Sequence, residues 1–226
     1  MKNTKTNKTH AARDVKSILK KKHATFLLNK QLIKMVEIGD LAEVQQLINE
    51  GATLHKLTGM QLDLYNARSE HDTLLHTAIK LGHVDIVKHL ITCGCDVNAQ
   101  TRRKKAAPLH YAAYPSVPAV ILEVLLDNGA NIEVKDDDNA TPFMWACYLN
   151  NTRAIKILTH RKADAFAADN FGLSPLEWAS HQGHIESVTL LIQSISYSKA
   201  QLKSAYAQAV ETGQIKTASV LNKQLR

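Results

Sequence analysis

The stretch 73-TLLHTAIKLGHVDIVKHLITCGCDVNAQ-100 reads as a pair of helices with a turn after each. Thr73 is an N-cap residue type, since its hydroxyl can accept from an orphan backbone N–H at a helix start. The helix that follows is short and ends at Gly82, which tolerates a tight reversal. Val84, Val87, Leu90 and Ile91 then place an apolar stripe at helical spacing. Gly94-Cys95-Asp96 stops this second helix. One such pair buries too little apolar surface to stand alone, so its face needs neighbours of the same kind.

Neighbours of the same kind follow in the chain. The segments 107-APLHYAAYPSVPAVILEVLLDNGANIEVK-135, 141-TPFMWACYLNNTRAIKILTHRKADAFAAD-169 and 174-SPLEWASHQGHIESVTLLIQ-193 repeat the arrangement. Their starts, with Thr73 counted first, are 34, 34 and 33 residues apart. Thr141 and Ser174 are again N-cap types. Pro108, Pro142 and Pro175 occupy the first helical position, where a missing N–H is not needed. Ser116, Asn150 and Gly183 stand where Gly82 stands, as residues suited to the reversal.

This period and the T-P-L-H-x-A opening resemble the ankyrin repeat. The resemblance covers residues 73–193, and no unit carries the full motif. The Pro is absent from 73–78, the Thr from 107–112, and the His from 141–146 and 174–179. It implies an all-α solenoid of stacked helix-turn-helix units joined by β-hairpin or turn fingers. About six repeats are expected, caps included. Residues 31–52 repeat the helix–Gly–helix–Gly-Ala order and read as an N-terminal cap, and 198–225 read as a polar outer cap. The expected organisation is a leader at 1–26, a cap at 27–72, repeats at 73–106, 107–140, 141–173 and 174–197, and a cap at 198–226. The first finger is long: 22 residues separate Gly51 from Thr73, against 13 and 12 in the next two connections.

Composition fits an ordinary folded chain, with 45% hydrophobic and 22% charged residues. No apolar run approaches the roughly 18 residues of a membrane span. Cys93, Cys95 and Cys147 are odd in number and irregular in spacing, which fits a reducing compartment and a cytoplasmic location, with the nucleus or a host-cell cytosol as alternatives. The net charge of +7 comes from the leader, where eight basic residues face Asp14 alone. The first dozen residues are expected to lack fixed structure. The leader, residues 1–26, could contact nucleic acid or an anionic membrane, Lys20-Lys21-Lys22 could serve as a nuclear address, and a solvated tail is the simpler reading.

Enzyme motifs are missing: no G-x-S-x-G, no Gly-rich phosphate loop, no H-E-x-x-H. No cofactor is implied. His89, Cys93 and Cys95 fall short of the four ligands of a structural zinc site. Cys95 takes the place after Gly94 that Ala130 takes after Gly129, so these cysteines read as small residues at a helix end. The resemblance gives His76 and His110 a structural role between repeats. It also makes Asn98, in 90-LITCGCDVN-98, a candidate for asparagine hydroxylation.

Binding candidates come from aligning the first helices on Ala78, Ala112, Ala146 and Ala179. The preceding residue is Thr77, Tyr111, Trp145 or Trp178, and the residue two after is Lys80, Tyr114, Tyr148 or His181. Positions three apart share a helical face, and the resemblance places that face on a concave recognition surface. The ladder Tyr111, Tyr114, Trp145, Tyr148 and Trp178, flanked by Lys80 and His181, is therefore a candidate partner-binding surface, or else packing between repeats. Finger tips supply a second candidate. Arg102-Arg103-Lys104-Lys105 aligns with Asp136-Asp137-Asp138-Asn139, so a basic tip neighbours an acidic one. The charges either neutralise each other across a gap on the order of 10 Å, close to the Debye length, or form a bipolar edge for a charged partner. The expected function is a monomeric, non-catalytic scaffold that binds a protein partner. The alternative is an adaptor or targeting protein, such as a host-directed effector of an intracellular bacterium, whose leader contacts membrane or nucleic acid.

Overall fold

The computed structural model describes the backbone of residues 4–54 and 72–226, with side chains from Lys20 onward. The long first finger therefore lies almost wholly outside the described residues. The chain divides into two compact units, Met1–Ser69 and Glu70–Arg226. In the first, α1 (Thr4–Ile38) and α2 (Leu41–Asn49) pack as a pair about a reversal at Gly39. They bury Leu32, Val36, Val44 and Leu47. α1 runs without a break from Thr4 through residue 26 to Ile38. Among the described residues no helix is long and apolar enough to cross a membrane.

The second unit is five helix pairs. The first helices are α3 (Leu74–Lys80), α5 (Pro108–Ala112), α7 (Pro142–Tyr148), α9 (Pro175–Gln182) and α11 (Lys199–Glu211). Their partners are α4 (Val84–Thr92), α6 (Ala119–Asp127), α8 (Thr152–His160), α10 (Ile185–Ser194) and α12 (Ile215–Leu225). Each first helix packs on its partner and on the next first helix, and each second helix packs on the next second helix. The core is a layer of Leu75, Ile79, Leu109, Phe143 and Leu176 from the first row against Ile86, Leu90, Ile121, Leu125, Ile155, Leu158 and Leu191 from the second, each almost fully buried.

The broken motifs keep one hydrogen bond. The third residue of every first helix reaches back to the N-cap N–H, satisfying a group that the helix start leaves orphaned. His76 Nδ1 accepts from Thr73 N–H at 3.2 Å, His110 Nδ1 from Ala107 N–H at 3.1 Å and Met144 Sδ from Thr141 N–H at 3.4 Å. Glu177 and Gln201 carboxyl and amide oxygens do the same for Ser174 and Ser198 at 2.7 and 2.8 Å. The motif His is thus replaceable by any side chain that carries an acceptor three residues in.

The reversals are left-handed at Gly82, Asn150 and Gly183. Ser116 does not adopt this conformation. The chain there turns through successive i→i−3 bonds, from Ala113, Tyr114 and Val117, with prolines at 115 and 118. The second helices end on Gly94, Gly129 and Lys162, at φ 86°, 84° and 66°, and the N–H after each returns to Leu90, Leu125 and Leu158. Lys162 is exposed and carries the strain of a Cβ in the left-handed region. Lys162→Gly should raise stability by about 0.5–1 kcal/mol, the strain relieved less the extra unfolded-state freedom of glycine. A urea unfolding midpoint checks this, and an unchanged or lower midpoint refutes it.

The fingers contain no strand among the described residues; they are closed turns. Thr101, Asp136 and Asp169 open them, each donating its N–H to the closing residue, Ala106, Ala140 or Leu173. The first described tip is one residue longer than the other two. Lys105, Asn139 and Gly172 take the same left-handed place near each tip's end. Adjacent tips touch through the backbone: Asp137 N–H donates to Lys104 O at 2.9 Å and Asn170 N–H to Asp138 O at 3.0 Å. The expected 10 Å gap between tips is therefore absent.

Candidate functional site

Two carboxylates build the site from below. Asp136 Oδ1 accepts from the N–H groups of Asp138 and Ala140 at 3.0 and 2.8 Å, and Oδ2 accepts the Trp145 indole N–H at 2.8 Å. Asp169 repeats this one unit on, with Phe171, Leu173 and the Trp178 indole, all at 2.8 Å. Each aspartate therefore shapes its finger and locks the ring of the following helix in one orientation. Both are buried, at 8% and 6% exposure, so each supports the surface from within.

Locked indoles and neighbouring tyrosines form the surface itself. Tyr114 meets Trp145 edge-on at 5.9 Å between centroids, and Tyr148 meets Trp178 edge-on at 5.4 Å. Tyr114 and Tyr148 are 37% and 45% exposed. These four rings line a slot of about 310 Å³ with Lys104 and Asp138 on its rim and Asp136 at its base. A second hollow of about 240 Å³ shares Tyr148 and Trp178 and continues to Phe171 and His181. Phe171 is 78% exposed on its fingertip, where the sequence comparison weighed charge alone.

Tyr111, placed on the ladder by alignment, is only 4% exposed. Its ring stacks on Tyr114 at 6.2 Å and meets Trp145 and His76 edge-on, while the Lys80 ammonium sits 4.3 Å from its centroid. The large neighbours on both sides cover it, so it carries the surface ring of Tyr114 from beneath. Lys80 is also paired with Asp72 at 2.6 Å. Arg102, Arg103, Lys104, Lys105, Asp137 and Asp138 are exposed on the tips. Among the described residues no ion pair joins a side chain of the basic tip to one of the acidic tip.

The remaining candidates are structural in their contacts. Asn98 bridges two units: its amide donates to Gly129 O at 3.1 Å and accepts from Asn131 N–H at 2.7 Å. Cys93 lies 3.5 Å from His89 Nε2, and among the described residues no group of three metal-ligating side chains converges. Burial pushes the Cys95 thiol up to about 11, with Cys93 and Asp96 adding to it, and raises Cys147 further still. Neither thiol is an activated nucleophile.

Comparison with known proteins agrees with this geometry. The family model described as ankyrin repeats (3 copies) matches residues 32–136, 109–204 and 143–223. Neurogenic locus notch homolog protein 1 of Xenopus laevis is 25% identical over 150 residues, 66% of this chain. The homolog 1 of Mus musculus is 26% identical over 152 residues, 67% of the chain, and homolog 2 of Homo sapiens is 26% identical over 150 residues, 66%. In each case the match spans 6% of the relative's length.

Proposed function

Because the chain belongs to the ankyrin-repeat family, we propose that it is a non-catalytic interaction module that binds a partner protein along the face from Tyr114 to His181. Members of this family generally mediate protein–protein interaction and are typically not enzymes. Fold alone does not choose the surface. The observation that carries the choice is the pair of indoles held rigid by buried aspartates, with exposed tyrosines beside them. Rigid aromatic rings lose little freedom on binding and bury much apolar area, which is why Trp and Tyr dominate binding hot spots.

Tyr114→Ala with Tyr148→Ala tests this reading. Both rings are surface residues, so the helical circular-dichroism signal should persist while proteins captured from extract by the parent chain fall away. Truncating two hot-spot rings should weaken a specific partner by about 2–4 kcal/mol together. Equal capture by a folded double variant rejects the reading. The adaptor alternative has one support, the exposure of Lys20, Lys21 and Lys22 on α1. It predicts steeply salt-dependent binding that Lys20, Lys21 and Lys22→Gln abolish while the tyrosine variant leaves it intact.

A further inference from the structure

The slot is aromatic and acidic at once. Trp145, Tyr148 and Trp178 wall it, and Asp138 and Lys104 share its rim. Ring faces carry negative potential, so several of them around one hollow favour a cation. Asp136 adds charge from the base, but its oxygens already accept three hydrogen bonds. Asp138 differs. It is exposed on the tip, and among the described residues its carboxylate enters no ion pair. Lys104 opposes a cation, yet two carboxylates outnumber it and its long stem lets the ammonium turn into solvent.

Resting on the interaction reading above, we infer that this slot takes an arginine side chain of the partner protein. A guanidinium is planar and weakly hydrated, so it can stack on an indole while its fork meets a carboxylate. A lysine ammonium is compact and strongly hydrated and cannot do both as well. A quaternary ammonium would suit the rings but brings no N–H for Asp138. A neutral side chain would leave the Asp138 charge facing an apolar group.

The chain has two tryptophans, both on the slot and both with the indole N–H held by a carboxylate. Their two ¹H–¹⁵N indole signals therefore report on it directly. The intact chain is titrated with acetyl-Gly-Gly-Arg-Gly-Gly-amide. Parallel titrations replace the arginine with citrulline, lysine, trimethyllysine or glutamate. The arginine peptide should move both signals saturably, and citrulline, similar in shape but uncharged, should bind about tenfold more weakly. Asp138→Asn should weaken the arginine peptide by about fivefold or more, while the two free-state indole signals stay in place and show the fold intact. Equal response to citrulline, a tighter response to glutamate or trimethyllysine, or no response overturns the assignment. The tyrosine capture experiment decides the interaction reading separately. Partners lost there with no arginine response here would leave the face a binding surface and remove only the arginine.

Discussion

Asp136→Ala should lower the thermal midpoint of the second unit by about 6–16 °C, from a loss of about 3–4 kcal/mol. One small substitution removes three hydrogen bonds to an ionised group. The Ala140 N–H it abandons is buried, and Asp136 is itself 8% exposed, so little water can replace the carboxylate. Hydrogen bonds to charged groups are worth about 1.5–3 kcal/mol each, and the sum is discounted because the finger can relax. Asp169→Ala should behave alike, since its three contacts are the same in kind. The variants should also free the indole of Trp145 or Trp178, so fluorescence should shift even where the helices remain. A midpoint within 2 °C of the parent, at a loss below about 1 kcal/mol, would refute the support role of these aspartates.

Acid should destabilise the same unit as pH falls below the ordinary histidine value. His76 is fully buried, and burial pulls its pKa down to about 4 despite the opposing charge of Asp72. His110 is lowered for the same reason. The geometry agrees: Nδ1 of each accepts the N-cap N–H, and His110 Nε2 donates to Ala140 O at 3.0 Å, so protonating Nδ1 would set donor against donor. Unfolded histidine titrates near 6.5. Below that value the unfolded chain binds protons that the folded chain refuses, so the stabilisation is complete above pH 6.5 and declines as pH falls toward 4. The slope is about 1.4 kcal/mol per pH unit per histidine, or roughly 2 kcal/mol for His76 between pH 6.5 and 5. Urea midpoints at pH 7, 6 and 5 measure it. His76→Gln keeps an acceptor at the third position, as Gln201 does naturally, and should make the profile shallower, leaving the part due to His110. A parent profile already flat over this range would contradict the mechanism.

Helix pairs were legible because their signals are local. Caps, prolines and glycines fix where a helix starts and stops, and the apolar stripes fix what it buries. The aromatic face was legible in part. Aligning on one alanine brought Tyr114, Trp145, Tyr148 and Trp178 to one surface, as the stacking geometry has it. It could not rank Tyr111 below Tyr114, because exposure depends on the size of residues in the adjacent unit. Lys80 covers one side of Tyr111, and Trp145 closes the other. The aspartate supports were visible and overlooked: Asp136 precedes Trp145, and Asp169 precedes Trp178, by nine residues. Reading Asp136 as part of an acidic tip hid that recurrence. Ser116 misled for another reason, since a proline-built turn replaces the left-handed residue there without any change in the surrounding apolar pattern.

The extra residue in the tip between Thr101 and Ala106 sits beside two shorter tips in the same molecule. All three close with the same backbone pair and a left-handed residue, and the longer tip still meets its neighbour at Lys104 O. Length is thus decoupled from alignment. The chain can gain or lose a residue at this edge without disturbing the stack behind it, because the closing bonds lie at the base of each turn. Substitution and insertion at the tips can therefore be explored by evolution, or by a loop library, almost independently of folding.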